Sequence, residues 1–158
     1  MQKYSLMLYC AAAITLLGFS LALTSCGSTP LTETPPEMVG TWQGEATIIV
    51  AWVDQERLPV TLTIHANGTV EGLAGDTTLI EGRLRKNLLG SPYIIRADLA
   101  GPIIAAEEVQ RDGVSMPLDF DGEKFVGGLA TTGTKAGGKE SMILTASDLV
   151  LTRVQGDQ

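Results

Sequence analysis

Cysteine and histidine are almost missing from this chain of 158 residues. The chain contains two cysteines, Cys10 and Cys26, and one histidine, His65. A three-histidine metal site is therefore impossible. A metal site that includes histidine could use only His65 together with carboxylates. A catalytic triad on His65 has no Gly-x-Ser-x-Gly elbow to supply its nucleophile, so we expect this histidine to lie on the surface.

Aromatic and basic residues are also scarce. Aromatic residues make up 5% of the chain, and eleven Lys and Arg stand against eighteen Asp and Glu, for a net charge of −7. Recognition of sugars or bases by stacking would need more rings on one exposed face. Nucleic acid and anionic lipid headgroups would need a basic face, so the composition argues against both and leaves basic proteins or metal cations open.

The start of the chain has the parts of a secretory signal. One lysine precedes an apolar run over residues 6–23, and the small residues Thr24 and Ser25 precede Cys26. A membrane-spanning helix needs about 20 predominantly apolar residues, slightly more than this run supplies. An uncleaved anchor helix and an ordinary signal peptide are the competing interpretations, and neither requires a cysteine at this point.

The stretch Leu23-Thr24-Ser25-Cys26 closely resembles the lipobox of bacterial lipoproteins. This resemblance implies lipidation of the Cys26 sulfur with fatty acyl chains such as palmitate, and cleavage between Ser25 and Cys26. By the sorting pattern of that class, Gly27 in place of aspartate implies the outer membrane, on its periplasmic face. Two or three acyl chains anchor a protein stably, because each buried methylene contributes about 0.8 kcal/mol.

Processing at Cys26 would divide the chain into three parts: a signal peptide over residues 1–25, a lipidated N-terminus with a flexible, proline-rich tether over 26–37, and a folded domain over 38–155. One of the eleven basic residues and none of the acidic ones would be removed, so the net charge would become −8. No free cysteine would remain for a disulfide, a thiolate metal site or a nucleophile.

The folded domain is predicted to be all-β. Apolar or small residues alternate with polar ones in five segments. They occupy the even positions at 42–52, 60–64, 80–84 and 114–120, and the odd positions at 93–99. Turns are predicted at Asn67-Gly68, Asp121-Gly122 and Ser147-Asp148. This spacing predicts a single antiparallel up-and-down β-barrel of about 8–10 strands.

The ends of this domain carry a second resemblance. Gly40-Thr41-Trp42 in the first strand and Arg153 in the last are similar to the lipocalin and fatty-acid-binding (calycin) superfamily. The resemblance implies that Trp42 closes one end of the barrel and that Arg153 lies across its ring. The chain has no Thr-Asp-Tyr segment of the lipocalin kind and no Arg-x-Tyr near its carboxyl end, so a fatty acid ligand is not implied.

Two motifs are better explained as hairpin loops. Residues 133–139 have the G-x4-G-K spacing of a phosphate-binding loop, but Glu140 follows where Ser or Thr is needed, and a strand is predicted next. Residues 119–123 lack the twelve-residue register of a calcium loop. No cofactor or metal is therefore predicted.

The sequence favours a non-enzymatic function, because no recognisable set of acid, base and nucleophile is present. The leading hypothesis is a lipid-anchored periplasmic binding or accessory protein, with a small apolar molecule as candidate ligand of the barrel. The alternative is a protein-binding inhibitor of a secreted or periplasmic hydrolase with a basic surface. Side chains can fill a barrel of this size completely, which would remove the case for an interior ligand.

Overall fold

Nine β-strands form in a computed structural model of the chain, which describes residues 28–50, 56–88, 90–104, 109–135, 138 and 141–155. In chain order the strands are β1 (Thr29–Pro30), β2 (Gly40–Ile48), β3 (Arg57–Ile64), β4 (Thr69–Ala74), β5 (Thr77–Lys86), β6 (Tyr93–Gly101), β7 (Val109–Phe120), β8 (Lys124–Lys135) and β9 (Ser141–Arg153). A short 3₁₀ turn, Pro36–Met38, precedes β2. Within the described ranges, no helix is long and apolar enough to cross a membrane.

Eight of these strands close into an antiparallel up-and-down barrel. From β2 to β9 each strand pairs with the next along the chain, and β9 pairs back onto β2. The two-residue strand β1 pairs only with β5, beside the point where β4 begins. The predicted single antiparallel up-and-down barrel is therefore confirmed, with eight strands.

Period-two alternation places one side of each strand in the barrel interior, because successive side chains of a strand point to opposite faces. In β3 the buried residues are Leu58, Val60, Leu62 and Ile64. In β7 the predicted inward residues pack in the same core: Val114, Met116, Leu118 and Phe120. The alternation predicted for β2 holds as far as Val50, whereas Trp52 lies outside the described residues.

The predicted phase of β5 is wrong at its start. Ile80 was expected to point inward, but it is 43% exposed, and its neighbour Leu79 is buried instead. A β-bulge at Glu81, which has a φ of 52°, inserts one residue between the two halves of the strand. One extra residue exchanges the two faces, so only Gly82 and Leu84 keep their predicted direction.

The turn predicted at Ser147-Asp148 is also wrong. β9 runs without a break from Ser141 to Arg153, and Asp148 adopts a φ of 54° within it. Both neighbouring strands show a register shift at this point, so the residue forms a β-bulge and not a chain reversal. Aspartate tolerates the left-handed region, which serves a bulge as well as a turn.

The predicted turn at Asn67-Gly68 is present and joins β3 to β4. Gly68 has a φ of 77°, in the left-handed region that glycine reaches without a Cβ clash. The Asn67 side-chain oxygen accepts a hydrogen bond from the backbone N–H of Thr69 at 3.0 Å. This local bond closes the turn and begins the next strand.

The predicted turn at Asp121-Gly122 joins β7 to β8. Asp121 Oδ1 accepts hydrogen bonds from the backbone N–H groups of Glu123 and Lys124, at 3.0 and 2.9 Å. These two donors favour the carboxylate form and lower the pKa of Asp121. The acidic segment over residues 119–123 is thus explained by a hairpin turn.

β2 and β9 approach each other closely at Gly44. A Cβ at this position would collide with the backbone carbonyl oxygen of Val150 and would lie 3.3 Å from the Cα of Leu151. Backbone atoms cannot move aside as a flexible side chain can. The glycine is therefore required by the curvature of the closed sheet.

We expect Gly44→Ala to lower the free energy of unfolding by about 1–3 kcal/mol, because the added methyl forces the two strands apart. Chemical denaturation would measure this as a lower midpoint at unchanged slope. Gly113→Ala is the matched control, because its nearest neighbours would be the Ala97 carbonyl oxygen at 3.3 Å and Asp98 Oδ1 at 3.9 Å. Equal losses in the two variants would contradict the proposed role of Gly44.

Candidate functional site

Large side chains fill the barrel interior. The bulkiest fully buried ones are Trp42, Arg111, Phe125, Leu58, Leu62, Ile64, Leu84, Ile95, Ile103, Met116, Leu118 and Leu144. Together with smaller apolar residues they form one continuous cluster. A barrel of eight strands has an interior just wide enough for side chains to fill, and these side chains occupy the described part of it.

One end of the barrel is closed by Trp42. Its ring is 1% exposed and meets the ring of Phe125 edge-on, with 4.8 Å between the centroids. Phe120 makes a similar contact at 5.8 Å. The indole N–H donates a hydrogen bond of 2.9 Å to the carbonyl oxygen of Met38 in the 3₁₀ turn. The ring thus packs against the core and also holds the segment that covers it.

Arg153 lies across the outer side of the same ring. Its guanidinium carbon is 4.4 Å from the Trp42 ring centroid, a cation–π distance. The guanidinium also donates hydrogen bonds to the carbonyl oxygens of Val39, at 2.6 Å, and of Glu37. Gly40 leaves room for this side chain, because a Cβ there would collide with Arg153 Nη1. The structure therefore brings Gly40, Trp42 and Arg153 together as a structural closure.

The loop after β6 covers the other end. Ile103 is completely buried, and Ile104 is buried beside it. The carbonyl oxygen of Ile103 accepts a hydrogen bond of 3.0 Å from the backbone N–H of Asp76, in the turn between β4 and β5. Side chains therefore cover the described parts of both barrel ends.

A buried arginine lies inside the barrel near this second end. Arg111 is 1% exposed and faces glycines on both neighbouring strands, Gly101 on β6 and Gly133 on β8. Its Nη1 donates a hydrogen bond of 3.1 Å to the carbonyl oxygen of Met142 on β9. Gly133 gives the long side chain space to cross the inner face, because a Cβ there would lie 3.0 Å from the Arg111 Cδ. Sequence reasoning did not single out Arg111, because only the closed barrel places these glycines beside it.

Two threonine hydroxyls are buried in the same half of the barrel. Thr77 begins β5, and Thr131 lies on β8. Neither hydroxyl oxygen has a hydrogen-bond partner in the described part of the protein. The interior is therefore apolar at the Trp42 end and partly polar at the opposite end.

The segment before β2 lies on the barrel wall. Thr29 and Pro30 pair with Lys86 and Arg85 at the end of β5, and Leu31 donates a backbone hydrogen bond of 3.0 Å to the Leu84 carbonyl. The flexible tether predicted over 26–37 thus differs from the structure for residues 28–37. The cause is backbone pairing, because β5 extends beyond β4 and offers free hydrogen-bonding groups there.

Ser28 and Thr34 fix the two ends of this segment. Arg85 donates hydrogen bonds to the Ser28 hydroxyl at 2.8 Å and to its carbonyl at 2.5 Å. The hydroxyl of Thr34 donates a hydrogen bond of 2.9 Å to the carbonyl oxygen of His65. Cys26, the predicted lipidation site, lies outside the described residues.

A groove of about 440 Å³ lies on the outer wall over strands β5 to β8. Three arginines line it on β5 and β6: Arg83, Arg85 and Arg96. Its floor is made by small residues, which include Gly113, Ser115 and Ala130, and two carboxylates, Glu81 and Asp98, also line it. The groove is therefore a mixed-charge surface with a basic excess, on a protein that is acidic as a whole.

The structure does not bring the remaining sequence candidates together in its described residues. His65 ends up beside the β3–β4 turn, where its Nε2 is 3.7 Å from Glu71 Oε2. No group of three His, Cys, Asp or Glu residues in the described ranges could hold a metal ion. Gly133 belongs to β8, and the strand β9 follows the glycine-rich segment. The helix that a phosphate-binding loop requires is therefore replaced by a strand, and residues 136, 137, 139 and 140 lie outside the described ranges.

Comparison with known proteins does not add a family to this picture. The chain has no match among protein-family models, curated proteins or solved structures. The function is therefore argued from the geometry of the chain itself.

Proposed function

We propose that this protein is a lipid-anchored lipoprotein on the periplasmic face of the outer membrane, and that it acts by binding another protein. The apolar cluster inside the barrel is the observation that carries this proposal. Among the described residues, Trp42 and Ile103 are buried at the two ends, and large apolar side chains lie between them. An interior ligand would have to displace packed side chains, whereas the outer wall is accessible without rearrangement.

The outer surface of β2, β8 and β9 is the best candidate for contact with a partner. Away from the strand ends, most of its outward residues are uncharged: Thr47, Val126, Ala130, Thr132, Ile143, Thr145 and Val150, with Ile49 just after β2. Glu45, the direct partner of Val150, and Asp148 are the exposed acidic residues within it. We call this surface the charge-poor wall. Val126 and Val150 face each other across β8 and β9 and are 38% and 40% exposed. Protein interfaces are depleted of charge at their centre, and between the strand ends Glu45 and Asp148 are the charged residues of this wall.

The partner that best fits the remaining surface is a basic protein. The processed chain would carry a net charge of −8, which favours encounter with a basic surface. A secreted or periplasmic hydrolase such as a lysozyme belongs to this class, and the lipoprotein would act on it as an inhibitor or accessory subunit. Binding to purified hydrolases, measured by calorimetry, tests this role.

We expect Val150→Asp to weaken such a complex at least about tenfold, because a desolvated charge would enter the centre of the interface. Leu73→Asp is the matched control: Leu73 is also an exposed apolar strand residue, but it lies on β4, away from the charge-poor wall. Unchanged thermal unfolding would show that both variants are folded. Equal affinities of the two variants would contradict the use of this wall.

A small apolar ligand inside the barrel is the competing proposal. Mass spectrometry of an organic extract of the purified protein distinguishes the two. Recovery of one apolar molecule per chain, together with no binding to any hydrolase, would contradict the proposed protein-binding function.

A further inference from the structure

We propose that the corner of the barrel formed by Arg83, Arg85, Lys86 and Arg96 docks on the phosphate groups of the lipid bilayer that holds Cys26. We call this surface the basic corner. The inference rests on the proposed lipidation and extends it, because it assigns the side of the barrel that faces the membrane. Three observations carry it: the length of chain before Ser28, the charge of the corner, and one exposed leucine beside it.

The chain between the anchor and the barrel is very short. Only two peptide units separate Cys26 from Ser28, and they span about 7 Å when fully extended. Ser28 is bound by Arg85 through its hydroxyl and its carbonyl, and the next residue pairs with Lys86. An acylated Cys26 sulfur lies at the level of the lipid headgroups. The wall around Arg85 must therefore lie within reach of the headgroups, and a flexible tether does not separate them.

The basic corner concentrates positive charge at this point. Its four residues are four of the ten basic residues that would remain after processing. Arg83 and Arg96 are direct partners across β5 and β6, and neither forms an ion pair or a side-chain hydrogen bond in the described part of the chain. Like charges in this position destabilise a sheet unless an anion lies between them. A lipid phosphate would supply that anion.

The negative net charge of the chain disfavours anionic headgroups as partners, but the charge of the basic corner is positive. Glu81 and Asp98 line the same groove, so the corner has a net charge of about +2 after both are counted. Screening limits the effect of charges elsewhere on the barrel to about 10 Å at ordinary ionic strength. The electrostatic interaction with the membrane therefore depends on the charge of this corner and not on the net charge of the whole chain.

An exposed leucine lies at the same end of the barrel. Leu88 follows the end of β5 by two residues and is 61% exposed. Basic residues beside an exposed apolar side chain are typical of surfaces that rest in the headgroup region, because the leucine reaches the acyl boundary while the cations meet phosphate. By contrast, the β7–β8 turn carries Asp119, Asp121 and Glu123. The barrel is therefore expected to face the membrane with its β5–β6 side.

The test uses the full lipidated protein reconstituted into phosphatidylcholine vesicles with or without phosphatidylglycerol. A fluorophore is attached at Leu88→Cys or, as a control, at Ile143→Cys, an exposed residue of β9. Lipids with a nitroxide on the headgroup should quench the probe at position 88 severalfold more than the probe at 143. Equal quenching at the two positions would overturn the proposed orientation.

A charge variant tests the role of the corner itself. Arg83→Gln and Arg96→Gln should each lower the ratio of docked to undocked protein about fivefold on vesicles with phosphatidylglycerol. Lys124→Gln and Lys135→Gln, at the two ends of β8, are the controls and should leave the ratio unchanged. Equal effects of all four substitutions would overturn a specific role for the corner.

Failure of this inference is distinguishable from failure of the lipidation proposal. Mass spectrometry would show an unmodified Cys26 in a protein without acyl chains, whether or not that protein floats with the vesicles. A protein that floats while its probe at position 88 escapes quenching contradicts the docking alone.

Discussion

Replacement of Cys26 by serine is expected to abolish lipidation and signal cleavage together. The serine hydroxyl does not provide the thiol on which the lipobox resemblance depends, so labelled palmitate should fall to background. The product should also keep residues 1–25, because the lipobox resemblance implies cleavage directly before the lipidated cysteine. Metabolic labelling and mass spectrometry of the purified protein measure both effects.

The matched control for this prediction is Cys10→Ser. Cys10 lies in the apolar run, where a small polar residue is tolerated and no lipid is expected. Palmitate incorporation should therefore remain at the level of the unmodified sequence. An intact Met1 and an unmodified Cys26 in the wild-type protein would contradict the lipoprotein proposal directly.

Trp42→Ala is expected to lower the free energy of unfolding by about 3–5 kcal/mol, the range for loss of a large buried aromatic side chain. The ring packs against Phe120 and Phe125, donates its N–H to Met38 and carries Arg153 on its outer side. Its removal would open a cavity and release the cover of this barrel end. Urea denaturation followed by far-UV circular dichroism measures the loss.

Two further variants separate the contributions of this closure. Trp42→Phe keeps an aromatic ring but removes the hydrogen bond to Met38, so we expect a smaller loss than for alanine. Arg153→Met keeps the length of the side chain and removes the cation–π contact and the bonds to Val39 and Glu37. A loss below about 1 kcal/mol for Trp42→Ala would contradict the central role of this residue in the core.

Strand pattern and hairpin turns are the features that local sequence predicts well here. In β3 Val60, Leu62 and Ile64 alternate with polar residues, and all three are buried as this pattern predicts. Gly68 and Gly122 adopt the positive φ angles that their turns require. These features depend on neighbours a few residues away, so the chain encodes them locally.

The two β-bulges could not be predicted in this way. Glu81 has no conformational preference for positive φ, and Asp148 in a Ser-Asp pair resembles a turn. At both residues a β-bulge bends the strand so that it follows the closed barrel. Where such a bend is needed depends on the strands on either side. Their effect is large, because each bulge exchanges the inner and outer faces for the rest of its strand.

By itself, the sequence determined the all-β class, the up-and-down order of strands and the hairpin turns, because these follow from local alternation and turn chemistry. Only the tertiary structure decided what occupies the barrel and how the N-terminal segment is held. Arg111 crosses from β7 to β9 over Gly133, and Ser28 is bound by an arginine 57 residues further along the chain. Such contacts arise when distant strands are brought together by closure, and no local pattern in the sequence records them.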